Sequence, residues 1–292
     1  MYKMLAFGEV LWDMIEGEAH LGGAPLNFAA HVKKCGLSSG IVSCIGNDTL
    51  GERAFDAVGS LGVNTGLILR RNKKTGIVRV DLKDGQPDYE ILKPSAYDYI
   101  DIGQLDHATI GSYDVFYFGT LAQRADMSRI ALYEILAQHH FLQVFYDVNL
   151  RKNSYTSGVI LESLNHATIL KINDEEVSIV SEMIFEEILS FEEFSKQLFR
   201  RFSQIHTIII TAGGDGCYIL SGGNITKVPS EPVKVVDTVG AGDSFSAAFM
   251  SKFMSSNDPV KSAEVANKIG GFVASQSGAI PQYSEELKAL FL

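Results

Sequence analysis

Short apolar runs ending in Gly, Asn or Asp alternate with amphipathic stretches along nearly the whole chain, and this rhythm limits the fold more than any other feature. The runs KMLAF, SGIVSCIG, YDVFYFG, QVFYDVN, ATILKIN and HTIIITAGG are β-branched and aromatic, as buried strands are. Between most of them lie stretches with helical periodicity, among them NFAAHVKKCG, GERAFDAVGSLG, SRIALYEILAQHH and FEEFSKQLFRRF. Strands alternating with helices predict a mostly parallel sheet covered by helices on both faces, an α/β/α arrangement. Ligands of such sheets bind beyond the carboxyl ends of the strands, where the Gly, Asn and Asp residues fall.

Residues 75–92, TGIVRVDLKDGQPDYEIL, break the rhythm. Val78, Val80 and Leu82 alternate with Arg79 and Asp81, and KDGQ supplies an Asp-Gly hairpin turn. GEVLWDMIEGEAHLGG near the start alternates too. Together these predict a small antiparallel sheet projecting from the core, a β lid built from about 10–21 and 76–99. No linker, low-complexity tract or internal repeat divides the 292 residues, so residues 1–292 are read as a single domain.

A net charge of −10 disfavours nucleic acid and anionic membranes as partners. No apolar run approaches the roughly 18 residues of a membrane span, and MYKMLAFGEVLWD meets charge too early for a signal peptide. Cys35, Cys44 and Cys217 lack metal or CxxC spacing and read as reduced, mostly buried thiols. A cytoplasmic protein is expected.

The chemistry concentrates in a few motifs. In DTVGAGDSFSAAFM, Gly240, Ala241 and Gly242 lead into a helix whose face carries Phe245, Ala248, Phe249 and Phe253. The loop is neither a P-loop, since no Lys follows Gly242, nor a dinucleotide fingerprint. A helix N-cap accounts for Asp243 by itself. A phosphoryl-transfer site accounts for it differently: backbone N–H groups take up developing charge while Asp243 accepts the proton of an attacking hydroxyl.

GGAPLN puts Gly22, Gly23 and Asn27 at a helix start, where a glycine turn alone would be unremarkable. It also suits a small polyol, with Asn27 as both donor and acceptor and Asp13 as acceptor for two further hydroxyls. Arg151 in DVNLR fits a structural ion pair as well as a substrate contact. Asn173 and Glu176 in KINDEE stand at N-x-x-E spacing, which a solvated acidic helix start also explains. TAGGDG, Thr211 to Gly216, opens a turn that any hairpin could use. The histidines show no metal spacing, GxSxG is absent, and Trp12 reads as packing.

In their order, these pieces resemble the ribokinase-like (PfkB) sugar kinase family from end to end. GGAPLNFAAHVKKCGLSSGIVSCIG matches the N-terminal signature and DTVGAGDSFSAA the C-terminal one, with N-x-x-E and T-x-G-x-x-G between them. The resemblance implies a ribokinase-like three-layer sandwich with a β lid, and ATP and Mg2+ as cofactors. It makes Asp243 the catalytic base and Gly240, Ala241 and Gly242 the anion hole. Asp13, Gly22, Gly23, Asn27 and Arg151 fall on sugar-binding positions. It associates Asn173 and Glu176 with magnesium and phosphate, Glu176 indirectly. Thr211, Gly213, Gly216 and Asn267 fall in the nucleotide site. Many members use a potassium-type ion, whose place here is Asp237, Val239 and the stretch Ala274 to Gly278.

FGEVLWD, GGAPLN and DVNLR look most like the fructokinase branch, which phosphorylates the 6-hydroxyl of fructose. The branch's usual Pro is replaced by Val148, and 2-keto-3-deoxygluconate kinases share the Arg after Asn. That acid, ribose and nucleosides stay as alternatives, and a catalytically silent sugar-binding regulatory protein is the alternative from another class. The family often dimerises through the lid. A homodimer is therefore expected, with Trp12 or the Val78, Val80 and Leu82 face buried between subunits.

Overall fold

The computed structural model describes residues 1–15, 17–83 and 86–291, with the side chains of residues 80–89 outside the description. The strands are β1 (Lys3–Phe7), β2 (Leu11–Ile15), β3 (Glu18–Gly22), β4 (Ser38–Gly46), β5 (Ile68–Arg71), β6 (Gly76–Lys83), β7 (Gln86–Ile91), β8 (Val115–Gly119), β9 (Gln143–Asp147), β10 (Ile169–Asn173), β11 (Thr207–Thr211), β12 (Cys217–Ser221) and β13 (Asn224–Val228). The helices are α1 (Ala24–Lys34), α2 (Thr49–Ser60), α3 (His107–Ile110), α4 (Asp126–Gln138), α5 (Ser157–His166), α6 (Asp174–Phe185), α7 (Phe191–Arg201), α8 (Ala241–Ser256), α9 (Pro259–Ala274) and α10 (Glu285–Ala289).

Nine strands pair in the order β13-β12-β11-β10-β9-β8-β1-β4-β5. Neighbours from β5 through β11 are parallel, and β12 and β13 close that edge antiparallel. Successive side chains of a strand feed opposite cores, which is why these strands read as continuous apolar runs. Met4, Ala6, Val115 and Tyr117 pack with Leu26 and Phe28 of α1, Phe249 of α8 and Ile269 of α9. Leu5, Phe7, Phe116 and Phe118 pack with residues of α4 to α7, among them Leu132, Ile160, Val177 and Phe194. The chain steps outward from β1 to β4 and β5, then resumes on the other side at β8. In open sheets of this kind such a switch is where the ligand crevice lies, here at the carboxyl ends of β1 and β8.

The second sheet, in the order β3-β2-β6-β7, differs from the expected antiparallel one. β2–β3 and β6–β7 are antiparallel hairpins, but β2 and β6 join them in parallel. The expected Asp84-Gly85 turn lies outside the described residues. Trp12 corrects another expectation, since it is 5 % exposed and buried within its own chain. Its indole N–H donates to the Leu50 carbonyl at 3.0 Å, and the Arg53 guanidinium lies 4.7 Å over its ring. Val78 is likewise buried, with Leu11 and Tyr97. The side chains of Val80 and Leu82 fall outside the description. All three cysteines are buried and unpaired, and no described helix is long and apolar enough to cross a membrane.

Candidate active site

Helix α8 opens onto the crevice from Gly240, whose φ of 78° lies in the left-handed region. A Cβ on Gly240 would stand 2.6 Å from the Ala279 carbonyl oxygen, so the turn and the close approach both require glycine. The Ala241 N–H turns back to the Thr238 carbonyl at 3.2 Å. The N–H groups of Gly242 and Asp243 have no acceptor among the described residues. Of the expected trio, Gly240 shapes the turn, Ala241 closes it and Gly242 presents a free N–H, to which Asp243 adds its own. Free N–H groups at the positive end of a long helix attract anions.

The Asp243 carboxylate accepts a 2.8 Å hydrogen bond from Nδ2 of Asn27 on α1. Burial pushes its pKa up to about 6; the Asn27 hydrogen bond opposes the shift, Asp147 adds to it, and Lys171 and Arg151 oppose it. Asn27 is buried, and its Oδ1 has no partner among the described residues. One turn further along α1, His31 is held neutral by burial, with a pKa near 4. Its Nε2 meets the Ala279 carbonyl at 2.8 Å and its Nδ1 the Tyr283 hydroxyl at 2.7 Å. A carbonyl only accepts, so Nε2 carries the proton and Tyr283 donates to Nδ1. Helix α1 thereby holds both the carboxylate and the residue on which Gly240 rests.

Gly22 ends β3 and Gly23 caps α1 with φ 117°. A Cβ on Gly22 would stand 2.5 Å from an Asp13 carboxyl oxygen, and one on Gly23 would stand 2.3 Å from the Glu9 carbonyl. The glycines let these two acidic residues close on the turn. Glu9 is buried and accepts from the Ala24 N–H at 3.3 Å. Burial raises its pKa to about 7 and also raises that of Asp13. Arg151 makes no ion pair among the described residues, yet its charge lowers the pKa values of Glu9, Asp13 and Asp243. The structural ion pair left open by the sequence is not formed among the described residues.

Asn173 and Glu176 form a reciprocal capping box at the start of α6. Glu176 is buried, unlike a solvated helix start, and its Oε1 also accepts from the Leu150 N–H at 2.6 Å. It ties α6 to the segment that carries Arg151. Burial raises its pKa, while the Asn173 and Leu150 N–H groups hold it down. Next to it, Lys171 donates to both oxygens of Asp147, at 2.9 and 2.8 Å.

Thr211 ends β11, and residues 213–215 make a tight turn into β12. Gly216, at φ 94°, lets this turn approach β13, because a Cβ would lie 2.2 Å from the Val228 carbonyl. Gly213 also has positive φ but no crowding around it. Asn267 donates to the Val228 and Pro229 carbonyls at 3.0 and 3.3 Å, fixing the chain after β13. Asp237 accepts from the Val239 and Gly278 N–H groups at 3.0 and 3.2 Å. The Ala274 carbonyl already accepts from Val236 and Asp237. Among the described residues, no group of three or more His, Cys, Asp or Glu is placed to hold a metal.

Sequence reading missed Glu9, Asp147 and Lys171. Their signal was present: each is a charge within an otherwise apolar strand or within two residues of its end, where burial demands a partner or a role.

Comparison with known proteins places the chain in a family. The model of the pfkB family of carbohydrate kinases matches residues 2–286. Fructokinase-1 of Zea mays is 27 % identical over 320 residues, covering 99 % of this chain and 97 % of that protein. A fructokinase from Xylella fastidiosa with bound ATP superposes with a TM-score of 0.89 at 21 % identity, covering 99 % of this chain and 97 % of that one. A fructokinase from Vibrio cholerae O395 with fructose, ADP and calcium ion has a TM-score of 0.84 at 22 % identity, covering 100 % and 99 %. With the fold and the two signatures in their expected places, the chain belongs to the pfkB family of carbohydrate kinases.

Proposed function

We propose that this carbohydrate kinase transfers the γ-phosphoryl group of ATP to the 6-hydroxyl of fructose. The hydrogen bond from Asn27 to Asp243 carries the reading, because it joins the helix following the polyol-suited glycines to the carboxylate at the anion-attracting helix end. Asp243, with a pKa near 6, is ionised at neutral pH and takes the hydroxyl proton. The N–H groups of Gly242 and Asp243 meet the charge on the transferring phosphoryl. Asp13, Gly22, Gly23, Arg151 and the free Oδ1 of Asn27 orient the sugar. Thr211, Gly213, Gly216 and Asn267 shape the nucleotide side.

Mg2+ arriving with the nucleotide neutralises phosphate charge when bound. Both Glu176 oxygens already accept backbone hydrogen bonds, which favours contact through water over direct ligation. A potassium-type ion fits Asp237, Val239 and Gly278 better than Ala274, whose carbonyl is doubly occupied. Residues 10–21 and 76–99 form the lid of a cytoplasmic homodimer, a reading supported by the exposed Ile15 at the end of β2. Sedimentation as a monomer at micromolar concentration would overturn the dimer.

Arg151, without an ion pair among the described residues, supports a second substrate reading, a sugar acid such as 2-keto-3-deoxygluconate, with the guanidinium on the carboxylate. ADP release from ATP with a panel of sugars decides. The proposal expects fructose to exceed that acid, ribose and adenosine in kcat/KM. A clear preference for the acid overturns fructose, and no release with any sugar favours a silent binding protein.

A further inference from the structure

A buried polar cluster lies directly beneath the first turn of α8, on a strand face that is otherwise apolar. Asp147 ends β9, and Lys171 is its register partner on β10. One step down the same face stand Phe145 and Ile169, packed against Phe245 and Phe249 of α8. At the site end this apolar face gives way to an ion pair. Besides Lys171, Asp147 accepts from the Tyr117 hydroxyl at 3.1 Å and from the Ser246 hydroxyl at 2.9 Å. Three side chains, from β8, β10 and α8, therefore hold one carboxylate where these elements meet at the crevice.

Lys171 is only 8 % exposed, a costly place for a lysine. Its ammonium has three protons, of which two go to Asp147. The third has no acceptor among the described residues. The nitrogen lies 3.5 Å from where a Cβ on Gly242 would stand, beside the residue whose backbone N–H is free. Gly242 itself is exposed. The absence of a side chain at Gly242 leaves the ammonium open toward the helix end.

We propose that Lys171 is a further catalytic residue: its third ammonium N–H donates a hydrogen bond to the transferring phosphoryl group, beside the Gly242 and Asp243 N–H groups. Asp147 is its positioning residue. The inference rests on the α8 end being the phosphoryl site. In the step, the sugar oxygen bonds to the γ-phosphorus as the bond from that phosphorus to the β–γ bridging oxygen breaks. The hydroxyl proton passes to Asp243, ADP leaves with the bridging electron pair, and Lys171 keeps its proton. Its charge serves the equatorial oxygens, where a positive group counts most in a dry site.

The test is the paired variant Lys171→Met/Asp147→Asn, which removes both charges and retains volume. The amide oxygen it places at position 147 can still accept from Tyr117 and Ser246. Circular dichroism, sugar and ATP binding, and kcat are measured together. The proposal expects a folded protein with near-normal affinities and kcat lowered about 10²-fold or more. A folded variant with kcat within about threefold of wild type would show an ion pair that only supports the fold, and overturns the proposal.

Should that variant fail to fold, Gly242→Ala keeps the pair intact and sets a methyl 3.5 Å from the ammonium, in contact with it at the helix end. The expected result is an unchanged or higher Tm with kcat lowered about tenfold or more. Unchanged kcat overturns the proposal. Asp243→Asn, assayed alongside, separates the two levels. Near-normal kcat there retires the phosphoryl site itself, whereas near-normal kcat confined to the other variants retires only Lys171.

Discussion

Asn27 and Asp243, 216 positions apart in the chain, meet through a 2.8 Å hydrogen bond from the amide nitrogen to the carboxylate. The contact lowers the pKa of Asp243 against the burial that raises it to about 6. It also leaves Asn27 Oδ1 as a buried acceptor with no partner among the described residues. One side chain therefore tunes the carboxylate and, in the proposed function, offers its second polar atom to a sugar hydroxyl.

The variant Asn27→Ala loses that tuning. An ionised Asp243 is needed to accept a proton, so activity falls as pH drops through its pKa. Without the Asn27 donor the pKa rises, and the acid limb of the kcat/KM profile moves above about 6. The loss is therefore larger at acid than at alkaline pH, with a higher KM for the sugar. A profile lowered equally at every pH would contradict this.

Glu9 yields a prediction about stability. Burial raises its pKa from 4.5 to about 7, so the folded state holds its proton more tightly than the unfolded chain does. That contribution is fully present below the unfolded value and is lost as pH rises through about 7, a change of order 3 kcal/mol. Glu9→Gln stays neutral throughout. Its Tm relative to wild type should therefore improve between about pH 5 and about pH 8. Thermal melts at the two pH values check this, and a constant difference between the proteins would count against a buried, titrating Glu9.

Gly23 tests the construction of the proposed sugar side. Its φ is 117°, and an added Cβ would stand 2.3 Å from the Glu9 carbonyl. Gly23→Ala must move that carbonyl or the start of α1, at a cost of about 1–3 kcal/mol. Sugar KM should rise several-fold while ATP KM changes little. Equal losses for both substrates would show that the glycine shapes the whole crevice.

The large sheet was legible because its strands are buried on both faces, so apolar runs such as YDVFYFG and HTIIITAGG stand out between helical stretches. The turn into α8 was legible because Gly240, Gly242 and Asp243 are local in sequence. The parallel join of β2 to β6 was not, since strand alternation is the same whichever direction a neighbour runs. That Trp12 packs was legible, but its partners were not: alternation assigns it a face, and only the fold brings Arg53 of α2 over that face. The Asp147–Lys171 pair depends on two strands meeting in register, a fact no local pattern contains.

The most direct test of the central claim is the kcat of Asp243→Asn, measured with the sugar that gives the highest kcat/KM. The substitution keeps the size of the side chain and an oxygen able to accept from Asn27, while removing the base. The account predicts kcat lower by about 10²-fold or more, with sugar and ATP affinities little changed. A variant that turns over at near wild-type rate would reduce Asp243 to the first turn of a helix and contradict the mechanism.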